Sequence, residues 1–291
     1  MAISFRAAQR GLSAPKRRSR FLEQALACAD MTFVSSSMRI LVTFAVEAEF
    51  APWRRLRNLE PTAISDLPVF RARVGSAKVD FAITGMGIDH SYQVTKTLLA
   101  ESYQACITCG FAGALKESHA VGHVLVAEAV QELGKARTLA CARNLVHAAE
   151  NDGATRVGLF LTSDHVVRTA EEKKSLAPFA DAVEMESFGV LLAAAAHGKS
   201  AVAIRVISDD VRNDMPAVVD RAVDETGRVK IAGVVRYVAR HPLQLPALIR
   251  LGRDSKTAAE ALAHFLEAFI NKLSLATHGG PPPELREVAA R

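Results

Sequence analysis

Short apolar segments of β type alternate with helical segments through the middle of this 291-residue chain. Residues 39–44, 105–109 and 201–207 are the clearest strands, and each is followed by small or acidic residues. Such an alternation is typical of an α/β domain, because the helices cover the faces of the sheet that the strands build. We therefore expect an α/β layered domain from residue 38 to about residue 225.

The segments on either side of this domain differ from it in composition. Residues 1–37 contain six basic and two acidic side chains, so they carry four of the five net positive charges. We expect them to form a disordered basic extension, with Met31 and Met38 as alternative start sites. Residues 226–274 show helical periodicity and predict a helical appendage packed on the domain. The Gly- and Pro-containing residues 275–291 predict a disordered tail.

Charge and composition exclude several classes of function. Because the chain outside the basic extension is nearly neutral, we do not expect it to bind nucleic acid. No apolar run reaches the roughly 18 residues that span a membrane, and no secretory signal precedes the domain, which predicts a cytoplasmic protein. The apolar face of the C-terminal helix leaves contact with a partner or a membrane surface as an alternative to packing. The four cysteines are too few for a disulfide framework and are expected to be structural thiols.

Two glutamates lie two residues apart, between an apolar segment and an Ala-rich helical segment. In an extended backbone, Glu184 and Glu186 would project from the same face into one cleft. Two carboxylates this close repel each other unless a polar or cationic group satisfies them, and the hydroxyl groups of a sugar diol would do so. The alternative is that both are solvated residues at a helix start, where the helix dipole favours acids.

Further candidates follow the predicted strands at their carboxyl ends, where open α/β sheets bind ligands. Glu47 and Glu49 follow the first strand, although acids are also common in a first helical turn. Glycine-rich turns at residues 85–87 and 110–113 follow two other strands and can admit a ligand close to the backbone. Arg205 lies in the middle of an apolar strand, and a buried arginine requires carboxylate partners.

Seven short motifs, in this order along the chain, resemble those of the nucleoside phosphorylase and nucleosidase family, most closely its methylthioadenosine/S-adenosylhomocysteine nucleosidase branch. The most specific are Val-Glu-Met-Glu at 183–186 and Arg-Val-Ile-Ser-Asp at 205–209. The others are Ala-Val-Glu-Ala-Glu at 45–49, Gly-Met-Gly at 85–87, Gly-Phe-Ala-Gly at 110–113, Val-Gly-His-Val at 121–124 and Ser-Asp at 163–164. The resemblance covers residues 38 to about 215 and implies a three-layer α/β/α sandwich with a mixed central sheet.

The resemblance implies two catalytic residues. Glu49 would activate the attacking water, and Asp209, oriented by Ser208, would protonate N7 of a departing purine. This division of labour suits the chemistry, because breaking an N-glycosidic bond leaves an anionic base and an oxocarbenium-like sugar. To keep its proton, Asp209 would need a dry cleft and neighbouring carboxylates. The reaction requires no metal ion and no redox cofactor.

The resemblance also implies how a nucleoside would be bound. Glu186 and Met185 would hold the ribose hydroxyls with Glu184 in support, and Arg205 would fix these carboxylates. The remaining substrate-binding positions are Gly87, Phe111, Ala112, Gly113, Val166 and Val167.

Three positions depart from the family pattern. In the phosphorylases of the family, an arginine ahead of the second glycine turn and a serine within it bind phosphate. Thr108 and Phe111 stand at those places here, which favours water as the nucleophile and hydrolysis of an adenosine-type nucleoside. Phosphorolysis is the alternative, and a nucleoside-binding protein without catalysis is an alternative of another class. Val166 stands where an aromatic residue stacks on adenine in the nucleosidase branch, so the substrate would differ from methylthioadenosine.

The helical segment 229–273 resembles the C-terminal part of hopanoid-associated phosphorylase-like proteins, which are thought to remove adenine from adenosylhopane. The matching residues are at 240–244 and 250–254. An apolar helical appendage would suit a nucleoside with a lipid tail, which gives a further alternative for the substrate. The resemblance to the family also implies a homodimer or a higher homo-oligomer.

Overall fold

The computed structural model describes residues 37–216, 236–237 and 240–276. The strands are β1 (Arg39–Phe44), β2 (Glu60–Ile64), β3 (Leu67–Val74), β4 (Ala77–Ile83), β5 (Ala105–Ala114), β6 (Val124–Glu132), β7 (Thr138–Ala140), β8 (Thr155–Thr162), β9 (Ala182–Glu184) and β10 (Ser200–Asp209). The helices are α1 (Glu47–Leu56), α2 (Ile88–Leu98), α3 (Arg143–Asn151), α4 (Ala170–Leu176), α5 (Ser187–Ala196) and α6 (Leu245–Ala276), with a short 3-10 helix at Pro242–Gln244 before α6.

The strands form one mixed sheet. Strand β1 pairs in parallel with both β4 and β5, and β3 and β2 extend the sheet beyond β4 as antiparallel strands. On the other side β5, β10, β6, β8 and β9 pair in that order, and β9 returns to β5, so these five strands close into a ring. The expected mixed central sheet is confirmed.

Helices lie on both faces of this sheet, where α1 packs against α6 and α2 packs against α5. The burial of the strands agrees with this cover. The first six residues of β5 are all buried, and so are residues 201–208 of β10. Strands that are covered on both faces consist of nearly continuous apolar runs, which is how these two segments were recognisable in the sequence. The fold is therefore the three-layer α/β/α sandwich that the family resemblance implied.

Helix α1 is anchored to the sheet by aromatic side chains. Phe50 and Trp53 are buried, and their rings lie 5.2 Å from Phe44 and 4.0 Å from Phe81, respectively, between ring centroids. Stacked and tilted aromatic pairs of this kind add to the stabilisation from burial alone. Since Glu49 immediately precedes Phe50 on α1, the aromatic cluster also fixes the position of that glutamate.

Helix α6 packs against α1 and β10 through a continuous apolar face. The buried residues of this face include Leu262, Phe265, Leu266, Phe269, Ile270 and Leu273. Polar contacts fix the helix at its edges, because Arg57 pairs with Glu267 and the Ser76 hydroxyl donates to the Ser274 carbonyl over 2.8 Å. The helix therefore belongs to the packed body of the structure.

Several sequence predictions concern residues outside the described part of the chain. These are the basic extension up to residue 36, the segment 217–235 and the tail after residue 276. Within the described ranges, no helix combines the length and the apolar character that crossing a membrane would require.

Candidate active site

The sheet forks along strand β5. Its first half pairs with β1 as far as Thr108, whereas Gly113 and Ala114 pair with β9 on that side. Residues 109–112 lie between the two partners, at the point where β1 has ended. A cavity of about 790 Å³ lies at this fork, lined by the carboxyl end of β5 and by the residues that follow β1. This is a topological switch point of the kind at which α/β sheets bind ligands.

The cavity brings together residues from seven separate parts of the chain. Those predicted from the sequence that line it are Glu49, Phe111, Ala112, Gly113, Val166, Val167, Glu184, Met185, Glu186, Ser208 and Asp209. Two further predicted residues act from behind this lining: the Gly87 N–H donates to Glu186, and Arg205 donates to Glu184. The expected convergence in space is therefore observed, while the chemical role of each residue remains a prediction.

Glu49 is buried and is held by the backbone. Its Oε1 accepts the N–H of Phe111 over 2.7 Å, and its Oε2 accepts those of Ala45 and Val46 over 2.8 and 3.1 Å. The Val46 contact is the one that a glutamate makes at the third position of a helical capping box. Burial raises the pKa of Glu49, and the three hydrogen bonds and the charge of Arg205 only partly offset this effect. Glu49 is therefore a stronger base than an exposed glutamate.

The glycine-rich turn of β5 makes room for two carboxylates. A Cβ atom on Gly110 would lie 2.5 Å from Oε1 of Glu49, and one on Gly113 would lie 3.0 Å from Oδ2 of Asp209. Both distances are shorter than an ordinary contact between heavy atoms. The motif that suggested a ligand site in the sequence thus serves the close approach of acidic side chains to the strand.

Glu184 and Arg205 form a buried ion pair. The Nη2 atom of Arg205 lies 2.6 Å from Oε2 of Glu184 and 3.8 Å from Oε2 of Glu186. Glu184 also accepts the backbone N–H groups of Glu186 and Ser187 and the Thr162 hydroxyl. Burial alone would raise the pKa of Glu184, but the charge of Arg205 and these hydrogen bonds outweigh it and hold the pKa below its usual value. Glu184 is therefore the ionised partner of the arginine.

Glu186 is placed differently, although it is only two residues away. It lies directly before α5, and its Oε1 accepts the Gly87 N–H over 3.1 Å. Burial and the neighbouring charge of Glu184 raise the pKa of Glu186 to about 8 against the opposing charge of Arg205. The environment thus gives the two glutamates different pKa values. Glu184 forms an ion pair with Arg205, whereas Glu186 is available to a ligand in the cavity.

The raised pKa of Glu186 predicts how stability changes with pH. An unfolded glutamate ionises near pH 4.5, but Glu186 in the folded protein ionises near pH 8. Wild-type protein therefore loses stability as the pH rises from about 4.5 to about 8, because unfolding then releases a proton. We expect Glu186→Gln to remove this loss, which is on the order of a few kcal/mol.

The measurement is thermal unfolding of the unliganded protein between pH 5 and pH 9. The Tm of Glu186→Gln should rise relative to that of the wild type as the pH increases. Glu171→Gln, at an exposed position of α4, is the matched control. A Tm difference that stays constant across this range would contradict the assigned environment of Glu186.

Asp209 has a partner that the sequence did not reveal. Its Oδ1 accepts the Ser208 hydroxyl over 3.2 Å, and its Oδ2 accepts the ammonium of Lys173. Lys173 is fully buried, although its neighbours in the sequence are charged residues of a short helix, a pattern typical of a solvated surface. Neighbouring carboxylates were expected around Asp209, but the side chain that contacts its Oδ2 is the ammonium of Lys173.

The wall away from the carboxylates is largely apolar, although Arg55, Lys256 and Glu260 also belong to it. It is built from one side of α1 and one side of α6, and its members include Ala48, Ala51, Pro52, Leu248, Leu251 and Ala259. None of these was a predicted site residue. His165 stands at the rim, where its two ring nitrogens lie 2.7 Å from Asp164 and 2.9 Å from Glu172. The hydrogen bonds to Glu172 and then to Asp164 raise the pKa of His165.

The fold resembles that of solved nucleosidase and hydrolase structures. A Helicobacter pylori 5'-methylthioadenosine/S-adenosyl homocysteine nucleosidase matches with a TM-score of 0.64 and 18% identity, over 81% of this chain and 99% of that one. A Helicobacter pylori futalosine hydrolase matches with a TM-score of 0.63 and 17% identity over the same shares. A Streptococcus pyogenes S-adenosylhomocysteine nucleosidase matches with a TM-score of 0.63 and 20% identity, over 82% and 98%. At these identities the similarity establishes the fold alone.

The sequence itself gives a broader assignment. No curated protein sequence matches the chain. The family model of the phosphorylase superfamily matches residues 39–239, which is more than half of the chain and includes every predicted site residue. The chain therefore belongs to the phosphorylase superfamily.

Proposed function

We propose that this protein hydrolyses the N-glycosidic bond of an adenosine-type purine nucleoside and releases the base. The observation that carries the proposal is the convergence of Glu49, Glu186 and Asp209, from three distant segments, on one cavity. Such a cavity is large enough for a nucleoside, since ligand pockets typically measure about 300–1,000 Å³. The structural neighbours, which are nucleosidases and a futalosine hydrolase, add support.

In this proposal the ribose lies against Glu186. A carboxyl group at the cavity surface can accept hydrogen bonds from a diol, and Met185 offers an apolar contact beside it. The ion pair of Glu184 with Arg205 lies behind, and it fixes the turn through the backbone N–H groups of Glu186 and Ser187. Glu184 thus orients the sugar-binding residue.

The attacking water is activated by Glu49. A general base works best when its pKa lies near the working pH, and burial moves the pKa of Glu49 in that direction. The three backbone N–H groups fix both carboxylate oxygens, so the base needs little reorganisation before it accepts a proton. The charge of Glu49 also contributes to the raised pKa of Glu186, which is consistent with a short distance across the sugar site.

The departing base is protonated by Asp209. As the bond between the sugar and N9 breaks, its electron pair moves onto the purine, and N7 takes the proton of the carboxyl group. Ser208 orients Oδ1 by a hydrogen bond of 3.2 Å. Val166 and Val167 line the same cavity and would lie along the base. Dispersion and burial, without an aromatic stack, would then hold the purine.

The contacts of Arg205 favour water over phosphate as the nucleophile. A phosphorylase needs a cation that is free to bind the anion, but the guanidinium of Arg205 is buried and donates to Glu184 and to the Thr108 hydroxyl. Thr108 stands at the place of the phosphate-binding arginine of the family, and it accepts a hydrogen bond from Arg205 over 3.3 Å. These contacts support hydrolysis.

A second candidate is a nucleoside with an apolar 5′ chain, such as a lipid-linked adenosyl compound. The specific observation in its favour is the largely apolar wall formed by α1 and α6, in which Leu248, Leu251, Ala48 and Pro52 line one cavity. With the ribose bound at Glu186, an apolar 5′ substituent could pack against this wall. Each buried methylene would contribute about 0.8 kcal/mol, which is about a fourfold gain in kcat/KM.

The experiment is a substrate panel assayed by chromatography of the released base, in phosphate-free buffer and with added phosphate. The panel contains methylthioadenosine, adenosylhomocysteine, inosine and adenosines with 5′-alkyl chains of increasing length. We expect adenine and free sugar without phosphate. A strict requirement for phosphate, with a sugar 1-phosphate as product, would identify a phosphorylase instead. Binding heat without product would identify a nucleoside-binding protein. A rate that is independent of chain length would reject the apolar 5′ chain.

A further inference from the structure

Lys173 is the one fully buried lysine among the described residues, and its ammonium is fully engaged. It donates to Oδ2 of Asp209, to the carbonyl of Asp210 over 2.8 Å and to the carbonyl of Asn213 over 3.4 Å. An ammonium has three protons to donate, so each has a partner. The next residue, Lys174, is exposed on the same helix.

Burying a cation destabilises the folded state unless hydrogen bonds and opposite charges offset the lost hydration. The buried position of Lys173 therefore indicates a specific role. The side chain to which it donates is Asp209, the residue to which the proposed function assigns the proton transfer. Both carboxyl oxygens of Asp209 accept a hydrogen bond, Oδ2 from Lys173 and Oδ1 from Ser208. Gly113 leaves space for the carboxyl group against β5.

We propose that Lys173 is a positioning residue for the acid of the reaction, and that its charge stabilises the carboxylate that forms when Asp209 gives up its proton. The inference rests on the proposed function. In the step concerned, Asp209 starts as the neutral acid, with a proton on Oδ1 that it has taken up from solvent. This proton passes to N7 of the purine, and the electron pair of the broken glycosidic bond stays on the base. The negative charge that appears on Asp209 then lies beside the ammonium of Lys173, which keeps its own protons.

A purely structural lysine is the competing explanation. The two carbonyl contacts tie the segment after β10 to α4, and this segment is also held by Arg250, which donates to the Asn213 side chain over 2.9 Å. Loss of such a tie would weaken folding and would lower every activity of the site together. The test must therefore separate proton donation from the integrity of the site.

Leaving groups of different basicity make this separation. A purine must be protonated as it departs, whereas p-nitrophenol leaves as a stable anion and needs no acid. We would compare Lys173→Met with Lys174→Met, the matched control, and with Asp209→Asn, the reference for loss of the acid. The substrates are the preferred adenine nucleoside and a p-nitrophenyl riboside with the same 5′ group. Thermal unfolding is measured for every variant.

We expect Lys173→Met to lower kcat for purine release by about 10²-fold, to leave KM within a few-fold and to change aryl riboside cleavage little, as Asp209→Asn should. Lys174→Met should match the wild type on both substrates. Equal losses on the two substrates, or no loss on either, would overturn the proposal. If Lys173→Met does not fold, Lys173→Gln, which keeps a hydrogen-bond donor without the charge, is assayed in the same way. Failure of both variants to fold would assign Lys173 a structural role alone.

The same experiment keeps the two proposals apart. Wild-type protein that releases no purine would refute the proposed function. If the wild-type protein releases purine and Lys173→Met loses the same factor in rate on both substrates, only the role of Lys173 is refuted.

Discussion

Replacing Glu49 by glutamine is expected to lower kcat for purine release by about 10²- to 10⁴-fold, the contribution of a well-placed general base. The amide cannot take a proton from water. It also cannot reproduce the hydrogen bonds, because its nitrogen is a donor and Glu49 accepts N–H groups on both oxygens. The variant should therefore lose some stability as well, about 1–3 kcal/mol for an unsatisfied buried group.

The control for this variant lies on the same helix. Glu47→Gln changes a half-exposed side chain that pairs with Arg54 and does not line the cavity, so its turnover should equal that of the wild type. Steady-state kinetics, thermal unfolding and nucleoside binding by calorimetry would be measured for both. Normal turnover by folded Glu49→Gln protein would remove the residue from the role of base.

Arg205→Met should produce the largest loss of stability. The arginine is fully buried beside Glu184, with Glu186 at 3.8 Å, and its charge also acts on Glu49. Removing one partner of a buried ion pair leaves an uncompensated charge and typically costs about 3–5 kcal/mol. For a domain of this size the Tm should fall by about 10 °C or more.

Two further variants test whether an uncompensated charge causes the loss of stability in Arg205→Met. Adding Glu184→Gln to Arg205→Met should recover part of the lost stability, since the uncompensated carboxylate is then gone. Arg156→Met, which breaks an exposed ion pair with Glu128, should leave the Tm almost unchanged. A double variant no more stable than Arg205→Met would show that packing, and not charge, causes the loss.

The parts of the site that could be predicted from the sequence are those in which a polar residue interrupts an apolar strand or follows its end. Arg205 within β10 required a buried carboxylate, and Glu184 supplies it. The position after β1 pointed to both Glu47 and Glu49, and the family resemblance singled out Glu49. In each case a local rule about burial or strand ends identified the candidates.

The parts that could not be predicted depend on tertiary packing. Lys173 lies in a run of charged residues, and its ammonium is held by residues 209, 210 and 213, which are distant from it in the sequence. The apolar wall arises where α6 meets α1, two helices separated by most of the chain. Strand β2 was also missed, because its turn to β3 uses Ser65 and Asp66 with positive φ angles in place of the usual Asn-Gly signal.

Glu49 is oriented by main-chain donors at residues 45, 46 and 111. Every amino acid except proline offers the same N–H, so the side chains at these three positions can diverge during evolution without disturbing the carboxylate. All three also line the cavity. A substitution at one of these positions could therefore change which substituents the cavity accepts while the orientation of Glu49 is kept.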